Sequence, residues 1–373
     1  MRISLAGGGT DVPPLARAGG RVVCAAIDLF VRATVEPFDD GWIRLEGTWG
    51  LADVGRPIAP GERARTHGPE RTHGPAPERT HSMLPIAGNA PPRVATLTRR
   101  AGELPSKDPA FRLLEAVRER FGVTGGARIS IESDLTFGTG LGGSAAAAVA
   151  LVAAFHEALG ERATAPDLAT TAAHLERDVL GLRCGLQDQV CASNGGILDV
   201  RFYEVGHGKH VRGAAVETGG VGFDLESIEP TPALARDLCA GLLLVDTRVR
   251  RVSGEVLDVA NNSSISDLSA DLVAAADDTA RGFRLGSLPL VLAGMRRSAS
   301  AKWRRGGAGA LPRDVHKKLL EQEAVVVRAC GAGQGGHILV WADPSRHSEI
   351  ENVVSPALLR RPTLGVSGVQ VSV

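Results

Sequence analysis

The sequence is short of the features that grip large partners. Its 42 basic and 42 acidic side chains cancel, so no overall field draws in nucleic acid or an anionic membrane, and any anionic ligand must be held locally. Aromatic residues make up 4%, with one tyrosine and nine phenylalanines, and no basic tract interleaves with them to stack bases. The longest apolar run, Ala145 to Phe155, falls well short of the roughly 18 residues that span a bilayer, and no amphipathic anchor stands out. These shortages argue against nucleic acid and membrane as partners. Five cysteines (Cys24, Cys184, Cys191, Cys239, Cys330) are odd in number, lie far apart and form no C-x-x-C pair, which argues against a disulfide framework and a zinc site. With no signal-peptide layout at Met1-Arg2-Ile3-Ser4, the expected location is cytoplasmic.

What is present is enough chain for a sizeable core: 373 residues, 43% of them hydrophobic, favour two domains. We place the boundary near Gly206, giving domains 1–205 and 206–373. Apolar segments at Ile3–Leu5, Val22–Ala26 and Val31–Val35, parted by Gly and Pro, predict an antiparallel opening unit. From about Thr48 to Pro92 the composition turns to Gly, Pro, Arg, His and Thr, with the near-repeat Arg65-Thr-His-Gly-Pro-Glu, Arg71-Thr-His-Gly-Pro, Arg79-Thr-His. It lacks a core-forming pattern and is expected to be a disordered insert. Its His67, His73 and His81 have no Cys or carboxylate beside them, so a metal site there is the weaker reading.

Asp108-Pro109 predicts a helix start, with Phe111, Leu114, Val117 and Phe121 on one face, and Arg128–Ile131 predicts a strand. Ser144–Leu159 predicts an alanine-rich helix buried on all sides. Thr164-x-x-Asp167 with Pro166 predicts a capping box opening a helix whose stripe runs Leu168, Ala172, Leu175, Val179. Strands are expected at Ile197–Phe202, Gly241–Val245, His337–Trp341 and Gly368–Val373, and a helix at Arg313–Arg328. Without a steady βαβ rhythm the mixture reads as α+β.

Three glycine-rich segments carry the functional reading: Ala6–Asp11 (AGGGTD), Gly138–Ala146 (GTGLGGSAA) and Gly331–Gly336 (GAGQGG). The second follows a strand and ends at a helix N-terminus, where free N–H groups and the helix dipole favour a phosphate. No Lys follows it, which excludes a Walker A loop, and no ribose-binding acid follows it as in a Rossmann unit. Ser144 is placed to ligate Mg²⁺. Glu176, at the flank of the next helix's apolar stripe, can face inward as a second magnesium ligand. Twelve residues on, Asp188 stands in the glycine-punctuated Cys184-Gly-Leu-Gln-Asp-Gln189. For each segment a bland alternative stands: a tight turn, a solvated helix charge, a turn aspartate.

Taken together, these residues resemble the GHMP kinase superfamily over nearly the whole chain. Arg2 ahead of Thr10-Asp11 is similar to its first motif in sugar kinases, Gly138–Ala146 to its second and Gly331–Gly336 to its third. The spacing of Glu176 to Asp188 resembles the sugar-kinase pattern. Arg2–Pro14 and Gly185-Leu-Gln-Asp-Gln189 look most like D-glycero-D-manno-heptose 7-phosphate kinases, as does Thr247-x-x-x-Arg251-x-Ser253, except that Arg248 stands where a Gly is usual. Gly143 likewise stands where a Ser is usual, and Thr136-Phe137 where Pro-Pro is common.

The resemblance implies a GHMP kinase fold, with an N-terminal domain like ribosomal protein S5 domain 2 and a ferredoxin-like C-terminal domain. It implies an ATP-dependent kinase for the anomeric hydroxyl of a heptose 7-phosphate or similar sugar phosphate. In that reading Asp188 is the base and Arg2 stabilises charge beside it. Gly138, Thr139, Gly140, Leu141, Gly142, Gly143, Ser144 and Ala145 hold ATP, and Ser144 with Glu176 holds Mg²⁺. Gly9, Thr10, Asp11, Gln187, Gly333, Gly335 and Arg251 contact the sugar. The partner is then a small-molecule sugar phosphate, and the protein a monomer or homodimer. A kinase for another sugar and a catalytically silent sugar-binding homologue remain the alternatives.

Overall fold

A computed structural model describes residues 1–50, 92–136, 138–205, 220–249, 265–304, 313–321, 325–333, 335–354 and 359–372, with side chains omitted at 265–268 and 313–315. Residues 51–91 of the expected insert, with its three histidines, Gly206 and Arg251 lie outside the described residues, whereas Thr48 and Trp49, counted into the insert, are strand residues paired with Val94 and Arg93. Along the chain run β1 (Arg2–Ala6), β2 (Arg21–Ala26), β3 (Val31–Phe38), β4 (Trp42–Trp49), β5 (Arg93–Arg100), α1 (Arg112–Arg120) and β6 (Gly126–Ser133). Next come α2 (Gly143–Ala158), α3 (Ala165–His174), a π-helical turn (Leu175–Val179), α4 (Gln187–Asn194), β7 (Ile197–Glu204), β8 (Val221–Ser227), α5 (Pro232–Gly241) and β9 (Leu242–Asp246). The rest comprises α6 (Ile265–Arg284), α7 (Leu288–Arg304), α8 (Arg313–Glu321), β10 (Val326–Ala329), β11 (His337–Trp341), α9 (His347–Val353) and β12 (Leu359–Arg360).

The strands form three four-stranded sheets, ordered β1-β2-β7-β8, β3-β6-β4-β5 and β10-β11-β9-β12. The first and third are antiparallel, whereas in the second β4 runs parallel to β6. The first sheet continues through β8, past the expected boundary near Gly206, because β8 pairs with β7 along its whole length. The alternation in β1 sets up the site: Ile3 and Leu5 enter the core, and Arg2 and Ser4, one residue out of phase, point to the opposite face.

Helix α2 is apolar around its circumference, with Ala145, Val149, Val152 and Phe155 all buried, as a helix enclosed by neighbours must be. Thr164 caps α3 with the full reciprocal box: its hydroxyl accepts from Asp167 N and Asp167 accepts from Thr164 N, a device worth about 1 kcal/mol. The expected stripe then breaks. Leu168, Ala172 and Leu175 are buried but Val179 is 49% exposed. The cause is the π-turn at Leu175–Val179, whose wider winding rotates later residues out of phase.

Elsewhere the helix expected at Arg313–Arg328 ends at Glu321, and Val326–Ala329 is a strand on the edge of the third sheet. The β-branched run Val325-Val326-Val327 there prefers the pleated surface. Residues 368–372 form no strand; the chain end contributes isolated bridges at Leu364 and Ser367 instead. Helix α1 starts at Arg112, later than Asp108-Pro109 suggests, because Asp108 spends its carboxylate on Ala110 N in a local turn.

Candidate functional site

The first glycine segment is a turn pinned from every side. Gly7 has φ +75° and a Cβ on it would lie 2.0 Å from Arg21 O, so only glycine fits. Thr10 is fully buried; its hydroxyl lies within 2.9 Å of Gly7 O and Arg21 O and accepts from Arg21 N. Thr10 therefore latches the turn, and its side chain is engaged within the protein. Asp11, also buried, accepts from Gly9 N at 3.1 Å and from Gln187 N and Nε2 at 3.2 and 3.0 Å. Burial pushes its pKa up, with the charge of Asp188 adding to the rise. Gln187 also receives the Ser4 hydroxyl at 2.6 Å. A Cβ at Gly185 would lie 1.8 Å from Asp11 Oδ2, which explains the glycine of the Cys-Gly-Leu-Gln-Asp-Gln segment.

The second segment enters α2 through Gly138, Gly140 and Gly142, all with positive φ. Gly142, at +72°, is the N-cap; no side chain caps the helix and no acid stands in its first turn. The N–H groups and positive dipole end of α2 thus remain available for an anion. Leu141 and Ala145 are buried apolar side chains, so they would reach a ligand through main chain alone. At Gly143 a Cβ would meet only the Met1 side chain, Cε at 3.6 Å and Sδ at 4.0 Å, ordinary contacts; the serine usual there is sterically admissible.

Asp188, expected in a loop, lies in the first turn of α4. The structure brings it against the second segment. Arg2 Nε donates to its Oδ1 at 2.6 Å, Arg2 Nη2 approaches the same oxygen at 2.5 Å, and Arg2 Nη1 donates to Gly140 O at 3.1 Å. Oδ2 points at the turn, 3.4 Å from where a Gly142 Cβ would stand. Arg2 is buried and its partner is 28% exposed, so the pair is closed on the Arg side and open on the Asp side. Burial alone would lower the Arg2 pKa, but Asp188 outweighs it and the guanidinium stays charged.

Ser144 and Glu176 meet across the base of α2, the hydroxyl donating to Oε1. Gln189 Nε2 donates to the other oxygen at 2.6 Å. Glu176 lies inside the π-turn that throws Val179 outward, and is 3% exposed. With no cation beside it, burial raises its pKa to about 7. A hydroxyl and a buried carboxylate short of a counter-charge, at an uncapped helix start, fit a hard divalent cation. Among the described residues no group of three or more His, Cys, Asp and Glu could hold a metal. The pair therefore suits Mg²⁺, which takes few protein ligands and completes its shell with phosphate and water.

The third segment closes on the second. His337 N donates to Thr139 O at 2.9 Å, and a Cβ at Gly336 (φ +77°) would lie 2.3 Å from that carbonyl. Gly336 O in turn accepts the Thr247 hydroxyl at 2.6 Å, and Gly336 N donates to Val249 O at 2.7 Å. Gly335 is held open by Val249 O, 2.9 Å from its virtual Cβ, and Gly333 has φ +92°. Arg248 has φ +59° and is the single non-glycine residue with positive φ among those described, which accounts for the glycine usual there.

Sequence reasoning gave no role to Ser4, Gln189, Lys302 and Arg328, which hold the flagged residues or stand beside them. Gln189 had a signal, its place directly after Asp188. Ser4 and Arg328 depend on contacts between distant strands, and Lys302 on a helix packed beside them.

Residues 109–196 match the family model described as GHMP kinases N terminal domain. Among solved structures, the chain is similar to a D-glycero-D-manno-heptose 1-phosphate kinase from Bacteriodes thetaiotaomicron, at 17% identity and TM-score 0.68, covering 100% of this chain and 98% of that one. A putative sugar kinase from Campylobacter jejuni is similar at 18% identity and TM-score 0.67, covering 99% and 95%. Lactococcus lactis galactokinase complexed with galactose is similar at 13% identity and TM-score 0.64, covering 98% and 92%. Comparison with curated proteins gives no match. The chain therefore has the GHMP kinase fold, mixed in α and β, and within it residues 109–196 match the N-terminal domain of that superfamily.

Proposed function

We propose that this protein is an ATP-dependent small-molecule kinase, and that its acceptor is the anomeric hydroxyl of a heptose 7-phosphate or a similar higher-sugar phosphate. One observation carries the reading: Asp188 Oδ2 faces the glycine turn at the uncapped end of α2 while Arg2 ties the other carboxylate oxygen to that same turn. A base, a fixed cation and an amide cradle thus share one place.

In this reading the main chain of Gly138–Ala145 receives the phosphates of ATP, and the dipole of α2 favours their charge. Bound there, Mg²⁺ would supply charge neutralisation on the phosphate oxygens, with Ser144 and Glu176 as its protein ligands. Gln189 fixes the Glu176 carboxylate. Asp188 Oδ2 takes the proton of the acceptor hydroxyl as its oxygen attacks the γ-phosphorus; the new O–P bond forms, the bridging P–O bond breaks, and ADP leaves. Arg2, held by Asp188 and Gly140, offsets the charge of the transferred group. Asp11 and Gln187, bonded to each other, present the acceptor wall with Gly9, and Gly333 and Gly335 border it from the third segment. Most of the catalysis is then positioning, since Arg2, Asp188, Asp11, Gln187, Ser144 and Glu176 are already held by hydrogen bonds.

ADP release measured over a panel of free and phosphorylated sugars, with and without Mg²⁺, tests the reading. Turnover that needs magnesium and is highest with a seven-carbon sugar phosphate is expected. Absence of turnover with every sugar, while sugars still bind, would contradict it.

A further inference from the structure

Arg328 is the second residue from the end of β10, three positions before the third glycine segment, and is 3% exposed. Its Nη1 donates to Ser4 O. Among the described residues its buried Nε and Nη2 have no hydrogen-bond partner and no carboxylate pairs with it. Burial lowers its pKa to about 10, a value at which it remains a cation at neutral pH. A buried cation left unpaired is costly, commonly several kcal/mol. Folding alone gives no reason to keep it.

The direction of the unused edge is informative. A Cβ at Gly8 would lie 2.9 Å from Arg328 Nη2 and 2.9 Å from Ser4 Oγ, so the guanidinium faces the AGGGTD turn and the Ser4–Gln187–Asp11 chain. That is the wall assigned above to the acceptor. The unused edge, Nε with Nη2, is also the fork that other arginines of this protein apply to carboxylates: Arg21 to Asp199 at 2.8 and 2.6 Å, and Arg99 to Glu115 at 2.9 and 2.7 Å. In Arg328 the same fork lacks its oxyanion. Lys302, itself 8% exposed, donates to the carbonyls of Ala329 and Gly331 on either side of the same strand end, adding positive charge there.

We propose that Arg328 is the oxyanion-recognition residue of the acceptor: its free Nε/Nη2 fork takes a phosphate or carboxylate group carried by the substrate beside Gly8 and Ser4. This rests on the reading of the AGGGTD turn as the acceptor wall. Arg251, named above among the sugar contacts, lies outside the described residues. Arg328 then selects charged sugars over neutral ones, because a neutral sugar leaves the cation buried and unpaired.

Calorimetric titration without nucleotide tests it. The ligands are D-glycero-D-manno-heptose 7-phosphate and D-mannose 6-phosphate, each beside its unphosphorylated sugar, and D-glucuronate beside D-glucose. The wild-type protein is expected to prefer a charged member of a pair by about tenfold or more, the scale of one charge-assisted bidentate contact. A phosphate-only preference identifies a phosphorylated acceptor, and a preference for glucuronate a sugar acid. Arg328→Met is expected to abolish the preference without lowering the melting temperature of the ligand-free protein, since it removes an uncompensated buried charge. Arg328→Lys, which keeps the charge and loses the fork, is expected to retain part of it.

Inorganic phosphate, read by thermal shift on the wild type and on Arg328→Met, separates this proposal from the kinase reading. A shift confined to the wild type supports the oxyanion site even if no sugar is turned over with ATP, and in that case only the kinase reading fails. Equal affinity for charged and neutral sugars with no phosphate shift, an unchanged preference in Arg328→Met, or a Met variant that loses ATP affinity and keeps acceptor affinity would overturn it.

Discussion

Two sets of buried carboxylates divide the molecule. Asp199 is bonded by Arg21 and Arg284, and Glu115 by Arg99 and Arg118. In both, burial pushes the pKa up but the guanidinium bonds outweigh it, and the net shift is downward. Around the glycine segments the pattern reverses. Asp11 and Glu176 are buried among amides and hydroxyls with no cation bonded to them, and their pKa values rise. Arg328 is their mirror image, a buried cation with an empty fork. Where charge serves the fold it is compensated inside the protein, and at the candidate site, apart from the Arg2–Asp188 pair, it is left for a ligand to compensate.

The sharpest way to break this contrast is at Asp188, the one site carboxylate with an arginine partner. Asp188→Asn keeps the shape of the side chain and removes the proton acceptor, so turnover is expected to fall by about 10² or more with ATP affinity retained. ADP-release kinetics alongside nucleotide titration checks this; an unchanged rate would remove Asp188 from the chemistry.

At the structural pole, Asp199→Asn leaves Arg21 and Arg284 without their shared carboxylate. A loss of about 3 kcal/mol in unfolding free energy is expected, with the turnover of the folded fraction unchanged, as read by denaturant unfolding and specific activity. An activity loss without a stability loss would erase the distinction.

Glu176 sharpens the comparison through pH. Its folded pKa of about 7 lies above the ordinary 4.5, so the metal-free folded state holds the proton more tightly than the unfolded chain. The stability this lends is full below pH 4.5 and is lost as pH rises through 7. Metal-free wild-type protein should therefore lose stability across that window, and Glu176→Gln should not. Mg²⁺ needs the ionised carboxylate, so the magnesium requirement of the wild type should climb as pH falls below about 7, by up to tenfold per unit. The smallest effect is expected at Gly143→Ser, where only the Met1 side chain is near: a stability change within about 0.5 kcal/mol and catalysis retained.

Much of the site could be read in the letters. Gly138–Ser144, Asp188 and Arg2 stand in short segments whose chemistry is local, and the structure brings them within hydrogen-bonding or contact range. Glu176 was identifiable as a helix-flank carboxylate, but its full burial comes from the π-turn, which no residue pattern announced and which also turned Val179 out. Arg328 was hidden for a different reason: Val325–Arg328 reads as a continuing helix until β11 pairs with it, and only that pairing carries the guanidinium to Ser4. The strand expected at the chain end failed because nothing in the period-2 pattern of residues 368–373 says whether a partner edge is free. The α+β class was legible from the irregular alternation of elements; the parallel pairing of β4 with β6 was not.

The central claim is that the site holds buried charge in reserve for its ligands, and the titration of one carboxyl tests it most directly. With ¹³C-labelled glutamate, and Glu176→Gln to assign the signal, Glu176 should titrate near 7 in the ligand-free protein and fall into or below the ordinary carboxylate range when Mg²⁺ and ADP are added. A ligand-free value already in the ordinary range, unmoved by Mg²⁺–ADP, would contradict the account.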